Sequence, residues 1–433
     1  MALTRRQLLL AAAGAPLVAQ ANRPPNIVLI IVDELGAWML GCYGNREIRT
    51  PNIDLLARGG TRFHTHIASA PAGSPNRATL FTGRTPRQHG IRDFLTPEPI
   101  EDPPQGQAAP PPSFQEEIMI SDVLARAGYN CGYAGKWDMG AEDKPQHGFK
   151  HWATQLKTAD AVTASALEFL DAQKAGQPFF LTVSYPGPQA PYEGLAAKYY
   201  EMYAGVKFET IGWDPAAPNA SRGREMLGDI VGNIRKCAAA LTAIDDQIPP
   251  LMKRLNERGL RDDTLIVLTG ASGNLLGRHG LWGSGHASNP VNMYEESTAT
   301  PMIWNWRGRS PVEAARPELV GSCDFLPTIC EAVGAPVPQR NLPGRSYLTA
   351  VLGQQFPRSQ PWRNLVFSEL RNTLMARNNR YKLVLRNQGE GPNELYDLRA
   401  DPGEKVNQYS NPSFVSVRDQ LAAELDRWQK EFK

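Results

Sequence analysis

The chain has 433 residues, 42% of them hydrophobic, so it can bury a large core as two or three domains or as one large domain with an appendage. Its 46 basic and 44 acidic residues leave a net charge of +2, which excludes a strongly basic surface for nucleic acid or acidic lipid. The five cysteines are irregularly spaced, and their pattern indicates neither a disulfide framework nor a zinc motif.

The first 21 residues are typical of an export signal. They contain the paired arginines Arg5 and Arg6, an apolar run over residues 8–19 and small residues at the end. The run is too short to span a bilayer, and the arginine pair indicates the twin-arginine route. We therefore predict that residues 1–21 are a signal peptide, with an uncleaved anchor as the alternative. The expected product is periplasmic or extracellular and has no membrane span.

Residues 24–355 alternate strand-like and helix-like patterns. Helices are predicted over 121–129 and, as one long element, over roughly 227–258. Strands are predicted over 26–32 (NIVLIIV), 130–135 (NCGYAG), 178–185 (PFFLTVSY), 264–269 (TLIVLT) and 301–306 (PMIWNW). Continuously apolar runs such as NIVLIIV are typical of strands buried on both faces. The pattern therefore predicts an α/β domain: a mixed, largely parallel sheet sandwiched by helices.

Two segments depart from this alternation. Residues 97–113 (PEPIEDPPQGQAAPPPS) are too proline-rich for a helix or an interior strand, so we predict a surface loop. From residue 356 onward, short strand-like runs separated by polar turns precede a helical pattern over about 413–431. We predict a smaller C-terminal α+β subdomain over residues 356–433.

Polar residues follow several of the predicted strands. Asp33 and Glu34 come directly after the first strand, and Lys136 comes after NCGYAG. Because ligands bind at the carboxyl ends of strands in an open parallel sheet, these side chains are expected to converge. Adjacent carboxylates are half of an oxygen-ligand metal site, while Lys136 and Arg77 suit an oxyanion. Each residue alone also has a structural interpretation, such as a strand-to-helix junction or a solvated charge.

The chain resembles the sulfatases of the alkaline phosphatase superfamily over nearly all of its mature length. The matching segments include PNIVLIIVDELG, GSPNRATLFTGR, AGYNCGYAGKWDMG and NELYDLRADPGE. The sulfatase signature reads C-x-P-S-R-x-x-x-x-T-G-R, and its first residue, Cys or Ser, is oxidised to the formylglycine nucleophile. The resemblance implies the superfamily's fold, a bound calcium ion and hydrolysis of sulfate esters.

The nucleophile position of that signature is glycine in this chain. The pair Gly83 and Arg84 ends the signature and places Arg77 in its arginine position. The same count places Gly73 in the nucleophile position. Glycine has no side chain to oxidise or ionise, so the formylglycine mechanism has no starting residue.

Other positions that the resemblance assigns to chemistry have also changed. Asp33, Arg77 and Lys136 match the family, and Glu34 is a conservative replacement of an aspartate. The changed positions are Gly73, Asp138 and Gln189 in place of histidines, Ala271 and Ser272 in place of an aspartate and its Asn or His neighbour, and Ser284 in place of a lysine. Calcium takes six to eight oxygen ligands and gains affinity with carboxylate count, so we expect weak or no metal binding and no cofactor.

These observations predict a sulfatase-fold protein with a degenerate active site. The primary hypothesis is an exported pseudoenzyme that binds a sulfated or other anionic small molecule or glycan. One alternative is an active hydrolase of sulfate or phosphate esters in which Ser74 replaces the lost nucleophile, assisted by Arg77 and Lys136. A scaffold without a small-molecule site is the third hypothesis, and the sequence leaves the oligomeric state open.

The charged residues that remain at the family's site positions lead to one structural prediction. Asp33 and Glu34 would repel each other without a dication, whereas Arg77 and Lys136 supply two compensating positive charges. We therefore predict a direct ion pair between one of the carboxylates and Arg77 or Lys136. An inward-facing Asp138 would reinforce the pairing of Lys136.

Overall fold

The computed structural model describes residues 23–95, 106–190, 192–386, 389 and 391–433. The predicted signal peptide and most of the predicted proline-rich loop lie outside these residues. Within them, the strands are β1 Asn26–Val32, β2 Thr61–Phe63, β3 His66–Ile67, β4 Asn130–Gly135, β5 Phe149–Ala153, β6 Phe179–Tyr185, β7 Thr264–Gly270, β8 Ala299–Thr300, β9 Met302–Trp306, β10 Ala314–Arg316, β11 Val320–Gly321, β12 Leu365–Leu370, β13 Thr373–Asn378, β14 Tyr381–Arg386 and β15 Glu394–Asp397.

The α-helices connect and cover these strands. In chain order they are α1 Pro51–Arg58, α2 Gly73–Thr82, α3 Pro86–His89, α4 Ile120–Arg126, α5 Ala159–Asp171, α6 Ala197–Glu201, α7 Ile230–Asp245, α8 Ile248–Glu257, α9 Glu295–Thr298, α10 Phe325–Val333, α11 Leu348–Val351 and α12 Val415–Glu431. No helix in the described part of the chain is both long enough and apolar enough to cross a membrane.

A mixed eight-stranded sheet forms the centre of the molecule. Its strand order is β10-β2-β9-β7-β1-β6-β4-β5. The neighbours from β7 to β5 pair in parallel, and β9 runs antiparallel to both β7 and β2. The predicted largely parallel α/β sheet is confirmed.

The strand β1 is buried on both faces, as its apolar run predicts. Val28, Ile30 and Val32 pack into the core on one side of the sheet, against residues of α5, α7 and α8. The alternate residues Ile27, Leu29 and Ile31 pack into the core on the other side, against residues of α2, α4 and α10. Because successive side chains of a strand point to opposite faces, only a strand covered by two helical layers is apolar at every position.

One predicted helix is two helices in the structure. The single element expected over 227–258 consists of α7, which ends at Asp245, and α8, which begins at Ile248. Pro249 and Pro250 lie in the first turn of α8. Proline cannot donate the backbone hydrogen bond that a helix interior needs, but it fits the first turn.

The C-terminal part contains a separate antiparallel sheet in the order β12-β13-β14-β15. The helix α12 packs on this sheet through Leu421, Leu425 and Trp428. Buried Lys382 of β14 connects this sheet to the main domain by an ion pair with Glu295 of α9 at 2.9 Å, and it also pairs with Glu404 of the C-terminal part at 2.6 Å. An α+β arrangement in this part of the chain is therefore present, as expected.

Candidate functional site

Four strand ends meet at one edge of the central sheet, because β7, β1, β6 and β4 are consecutive parallel neighbours. Backbone hydrogen bonds extend the pairing beyond the strands. The N–H of Asp33 donates to the Tyr185 carbonyl at 3.1 Å, that of Lys136 to the Ser184 carbonyl at 2.9 Å, and that of Ala271 to the Val32 carbonyl at 3.0 Å. The structure thus brings the sequence-predicted residues to one place, as parallel strand order requires.

The helix α2 begins at this edge with Gly73 and carries Arg77 one turn later. Its position is fixed by Asn76, whose Nδ2 donates to the Ala271 carbonyl at 2.8 Å while its Oδ1 accepts from the Ser69 N–H at 2.9 Å. Arg77 is fully buried and its Nη1 donates to Ser184 Oγ at 2.6 Å. The helix α2 therefore places the side chain of Arg77 against the end of β6.

Both oxygens of the Asp33 carboxylate are bound by cations. Arg77 Nη2 lies 3.0 Å from Oδ1, and Lys136 Nζ lies 2.5 Å from Oδ2. Burial alone would raise the pKa of Asp33, but the charges of Lys136 and Arg77 outweigh it and hold the pKa below its ordinary value. Burial likewise opposes the charged form of Lys136, yet the charge of Asp33 raises its pKa. The predicted ion pair is confirmed, and it involves both cations.

The ammonium of Lys136 makes two further polar contacts. Its Nζ donates to Gln189 Oε1 at 3.1 Å and lies 3.7 Å from Asp138 Oδ2. Asp138 has a left-handed backbone with a φ of 55°, and it faces inward as the reinforcing carboxylate that the sequence suggested. At the two positions where the family has histidines, Gln189 thus accepts a hydrogen bond from Lys136 and Asp138 forms a longer ion pair with it.

Glu34 is held by amide side chains rather than by a cation. Asn274 Nδ2 donates to Oε2 at 2.8 Å and Gln189 Nε2 donates to Oε1 at 3.4 Å. Burial, followed by the neighbouring charge of Asp33, raises the pKa of Glu34 to about 7. The carboxyl group is therefore only partly ionised near neutral pH.

These residues do not fit a calcium ion. Calcium requires six to eight oxygen ligands that are free to face it, whereas both Asp33 oxygens already accept hydrogen bonds from cations. Ala271, in the position of a family aspartate, has no ligand atom in its side chain. Among the described residues, no three His, Cys, Asp or Glu side chains group in a way that could hold a metal.

A side chain at position 73 would be crowded by two carboxylates. A Cβ built on this residue would lie 3.2 Å from Asp138 Oδ2 and 3.3 Å from Asp33 Oδ1. The neighbouring Ser74 is fully buried, and its Oγ accepts a hydrogen bond from the Leu95 N–H at 2.9 Å. Ser74 does not line the cavity at the site, so its geometry disfavours the nucleophile role considered from the sequence.

A cavity of about 430 Å³ opens above the strand ends. Arg77, Ser74 and Ala271 are completely buried and lie outside its lining. The sequence-predicted residues that line it are Asp33, Glu34, Gly73, Lys136, Asp138, Gln189, Ser272 and Ser284. An adjacent cavity of about 670 Å³ shares Lys136, Asp138 and Gln189 with the first and is otherwise lined in part by apolar side chains. Together they form a cleft large enough for more than a single small anion.

Sequence reasoning missed several residues of this cavity, notably Arg222, His286 and Phe94. His286 Nε2 lies 2.5 Å from Asp93 Oδ1, and burial lowers the pKa of His286 although Asp93 opposes the shift. The glycine-rich segment GSGHAS, which contains His286, could have indicated a loop near the site. Arg222 carries no signal in the sequence, because it lies in a turn between regular elements.

Comparisons with known proteins agree with the fold. The family model described as Sulfatase matches residues 25–335, and that of the N-sulphoglucosamine sulphohydrolase C-terminal region matches residues 289–431. Arylsulfatase A of Homo sapiens is 28% identical over 485 residues, which cover 93% of this chain and 86% of the relative.

Solved structures give the same result. The Bacteroides fragilis protein yidJ, described as a candidate sulfatase, superposes with a TM-score of 0.80 at 25% identity and covers 94% of this chain and 96% of its own. A protein solved with its substrate D-glucosamine-2-N,6-O-disulfate superposes with a TM-score of 0.76 at 19% identity, with coverage of 95% and 98%. The chain therefore belongs to the sulfatase family of the alkaline phosphatase superfamily.

Proposed function

We propose that this protein is a non-catalytic sulfatase-family protein that binds a sulfated or otherwise anionic ligand in the cleft above the strand ends. The observation that carries the proposal is the Asp33 carboxylate, whose two oxygens are bound by Lys136 at 2.5 Å and Arg77 at 3.0 Å. This pairing neutralises, with protein cations, a group that the resemblance assigns to a metal.

The residues at the site cannot supply the steps of sulfate-ester hydrolysis by the family mechanism. Gly73 provides no nucleophile, and Asp138 and Gln189 provide no imidazole for proton transfer. The alternative nucleophile Ser74 is buried and has its Oγ hydrogen-bonded to the backbone of Leu95. The losses affect attack, electrophilic activation and acid/base assistance together, and each of them alone would slow the reaction greatly.

Retention of an open cleft supports binding rather than a purely structural role. The cavity at the strand ends is lined by polar and charged groups, including Lys136 and Arg222, and it shares lining residues with a larger neighbouring cavity. Among the structural neighbours, one was solved with a disulfated glucosamine as its substrate. We propose a sulfated sugar as the ligand class to test first, and we propose that residues 1–21 direct export, where such glycans are available.

Turnover and binding assays separate this proposal from its alternatives. The protein, co-expressed with a formylglycine-generating enzyme and assayed with calcium, is expected to hydrolyse sulfate, phosphate and phosphonate esters no faster than buffer. D-glucosamine-2-N,6-O-disulfate is expected to raise the melting temperature, because a ligand at 100 times its Kd stabilises the native state by about 2.7 kcal/mol. Unsulfated glucosamine at the same ionic strength is the control.

The two assays have distinct contradicting outcomes. Turnover that depends on calcium would show an active enzyme, and turnover lost in Ser74→Ala would restore the serine hypothesis. The absence of a thermal shift with any sulfated sugar would leave only the scaffold interpretation.

A further inference from the structure

We infer that the anionic group of the ligand binds at Arg222, on the cavity wall formed by Arg222, Phe94 and His286, and not beside Gly73. This inference rests on the proposed function and assigns the ligand's charged group to a residue that the family resemblance does not assign to any role. The wall lines the same cavity as Asp33 and Lys136.

The end of the cavity at Gly73 is unfavourable for an anion. Carboxylate oxygens of Asp138 and Asp33 lie 3.2 and 3.3 Å from the place where a Cβ of residue 73 would be. The cations at this end are already engaged, since Arg77 and Lys136 both bind Asp33. A sulfate placed there would meet two carboxylates without a free positive charge or a dication to offset them.

Arg222 differs from these cations because no carboxylate in the described ranges binds it directly, although its charge interacts with that of Glu34, and Glu34 and Glu225 line the same cavity. Arg222 forms no ion pair with any Asp or Glu in the described ranges, whereas it stacks on Phe94 with its guanidinium carbon 4.3 Å from the ring centroid. The side chain is exposed at the cavity. A guanidinium group stacked on an aromatic ring keeps its N–H edge available for a second partner.

The backbone around Arg222 is fixed against the opposite segment of the cavity wall. The N–H of Ser221 donates to the Ala287 carbonyl at 2.9 Å. Gly223 has a φ of 78°, and a Cβ on it would lie 2.8 Å from the Trp282 carbonyl oxygen, so the chain approaches Trp282 more closely than other residues allow. Arg222 is therefore held in place before a ligand arrives, which reduces the entropic cost of binding.

The geometry favours a tetrahedral oxyanion. The planar N–H fork of arginine matches two oxygens of a sulfate or phosphate group, and such charge-assisted hydrogen bonds are stronger than neutral ones. His286 also packs edge-on against Phe94, with the two ring centroids 4.6 Å apart. The Phe94 ring thus contacts both Arg222 and His286, and His286 in turn contacts the Asp93 carboxylate at 2.5 Å.

Sulfate binding in solution and the position of selenate in crystals test this inference. Sulfate affinity, measured by calorimetry at constant ionic strength, is expected to fall at least about tenfold in Arg222→Gln. Arg224→Gln is the matched control, because Arg224 is exposed, lies two residues away and carries the same charge. It is expected to change the affinity by less than about twofold. Anomalous scattering from a selenate soak is expected to place the anion at the Arg222 side chain.

The failures of the two proposals are distinguishable. Selenate beside Gly73, or sulfate affinity that survives in Arg222→Gln and is lost in Lys136→Gln, would overturn the Arg222 assignment while leaving ligand binding intact. Wild-type protein that binds neither sulfate nor D-glucosamine-2-N,6-O-disulfate in solution would overturn both proposals, and a selenate peak alone would then be an adventitious ion only.

Discussion

At the residue scale, Asp33 is the residue on which the interpretation of the site depends. Its buried carboxylate carries two ion pairs, and the two cations each have further contacts with Ser184, Gln189 or Asp138. Buried charges cost several kcal/mol each to desolvate unless they are paired and hydrogen-bonded, so this cluster is stable only because its members compensate one another. The charged side chains at the site bind one another in a network of ion pairs, so the oxygens of Asp33 are not free to bind a metal.

Restoring the nucleophile position alone is expected not to restore activity. In Gly73→Cys the new Cβ would lie within about 3.3 Å of the carboxylates of Asp33 and Asp138, so the thiol would face two negative charges. Such surroundings raise a thiol pKa and disfavour the reactive thiolate. We expect the variant, co-expressed with a formylglycine-generating enzyme, to show no sulfatase turnover, whether or not mass spectrometry finds an aldehyde at residue 73. Turnover restored by this single change would show that the other changed positions are not needed for catalysis.

The resemblance allowed site positions to be assigned from the sequence, but it did not indicate how their side chains interact. Counting along the signature assigned Gly73 and Arg77, because spacing within one helix is fixed by the chain itself. The contact of Lys136 with Gln189 and the stacking of Arg222 on Phe94 depend on tertiary structure. Arg222 in particular lies in a turn, where local patterns give no information on the direction of a side chain.

At the element scale, the helix α2 is stabilised by buried polar contacts along its length. Thr79 of α2 contacts His89 Nε2 at 3.1 Å, while His89 Nδ1 accepts from the Ile91 N–H at 3.2 Å. Because Nδ1 accepts, the imidazole is neutral with its proton on Nε2. The contacts therefore connect α2 with the end of α3 only while His89 remains uncharged.

This neutral histidine predicts a pH dependence of stability. Burial, followed by the charge of Arg84, lowers the pKa of His89 from 6.5 to about 3. The unfolded chain binds a proton as the pH falls through 6.5, while the folded chain does not, so stability is lost on acidification. We expect wild-type protein to lose about 2 kcal/mol more than His89→Asn between pH 6.5 and pH 5, measured by urea unfolding.

The matched control is His64→Asn, because His64 is exposed at the surface. Partial burial and the charge of Arg62 also lower the pKa of His64, so the pH profile of this variant is expected to change in the same direction as that of His89→Asn but by less. Equal pH profiles for wild type and His89→Asn would show that His89 is not held neutral in the folded state.

The regular elements of the main sheet were predictable because their patterns are local. The prediction for 26–32 agrees with β1, and the other central strands agree to within a residue or so. The antiparallel direction of β9 could not be predicted, since an apolar run has the same pattern in either direction. Pro249 and Pro250 indicated the break between α7 and α8. The prediction missed it because the apolar residues keep helical spacing on both sides of the break.

At the scale of the whole molecule, the site is assembled from the strand ends of the central sheet and then enclosed by later segments. Asp33 and Ser272 are far apart in the sequence, because most strands of the main sheet lie between them along the chain. The parallel pairing of β1 and β7 nevertheless brings both residues to the same cavity. The C-terminal sheet contributes indirectly, because Arg371 pairs with Asp93 at 2.5 Å and Asp93 contacts His286 of the cavity. Residues from the central sheet, the later loops and the C-terminal sheet are therefore connected around one cavity.

Calorimetric titration with calcium tests most directly the claim that this fold retains the family's site without its metal chemistry. We expect no stoichiometric calcium binding by the wild-type chain, because Arg77 and Lys136 occupy both oxygens of Asp33 and Ala271 supplies no carboxylate. The double variant Ala271→Asp with Ser272→Asn is expected to gain affinity, since it adds oxygen ligands at the end of β7 beside Asp33. Tight binding of one calcium ion per wild-type chain would contradict the self-neutralised site.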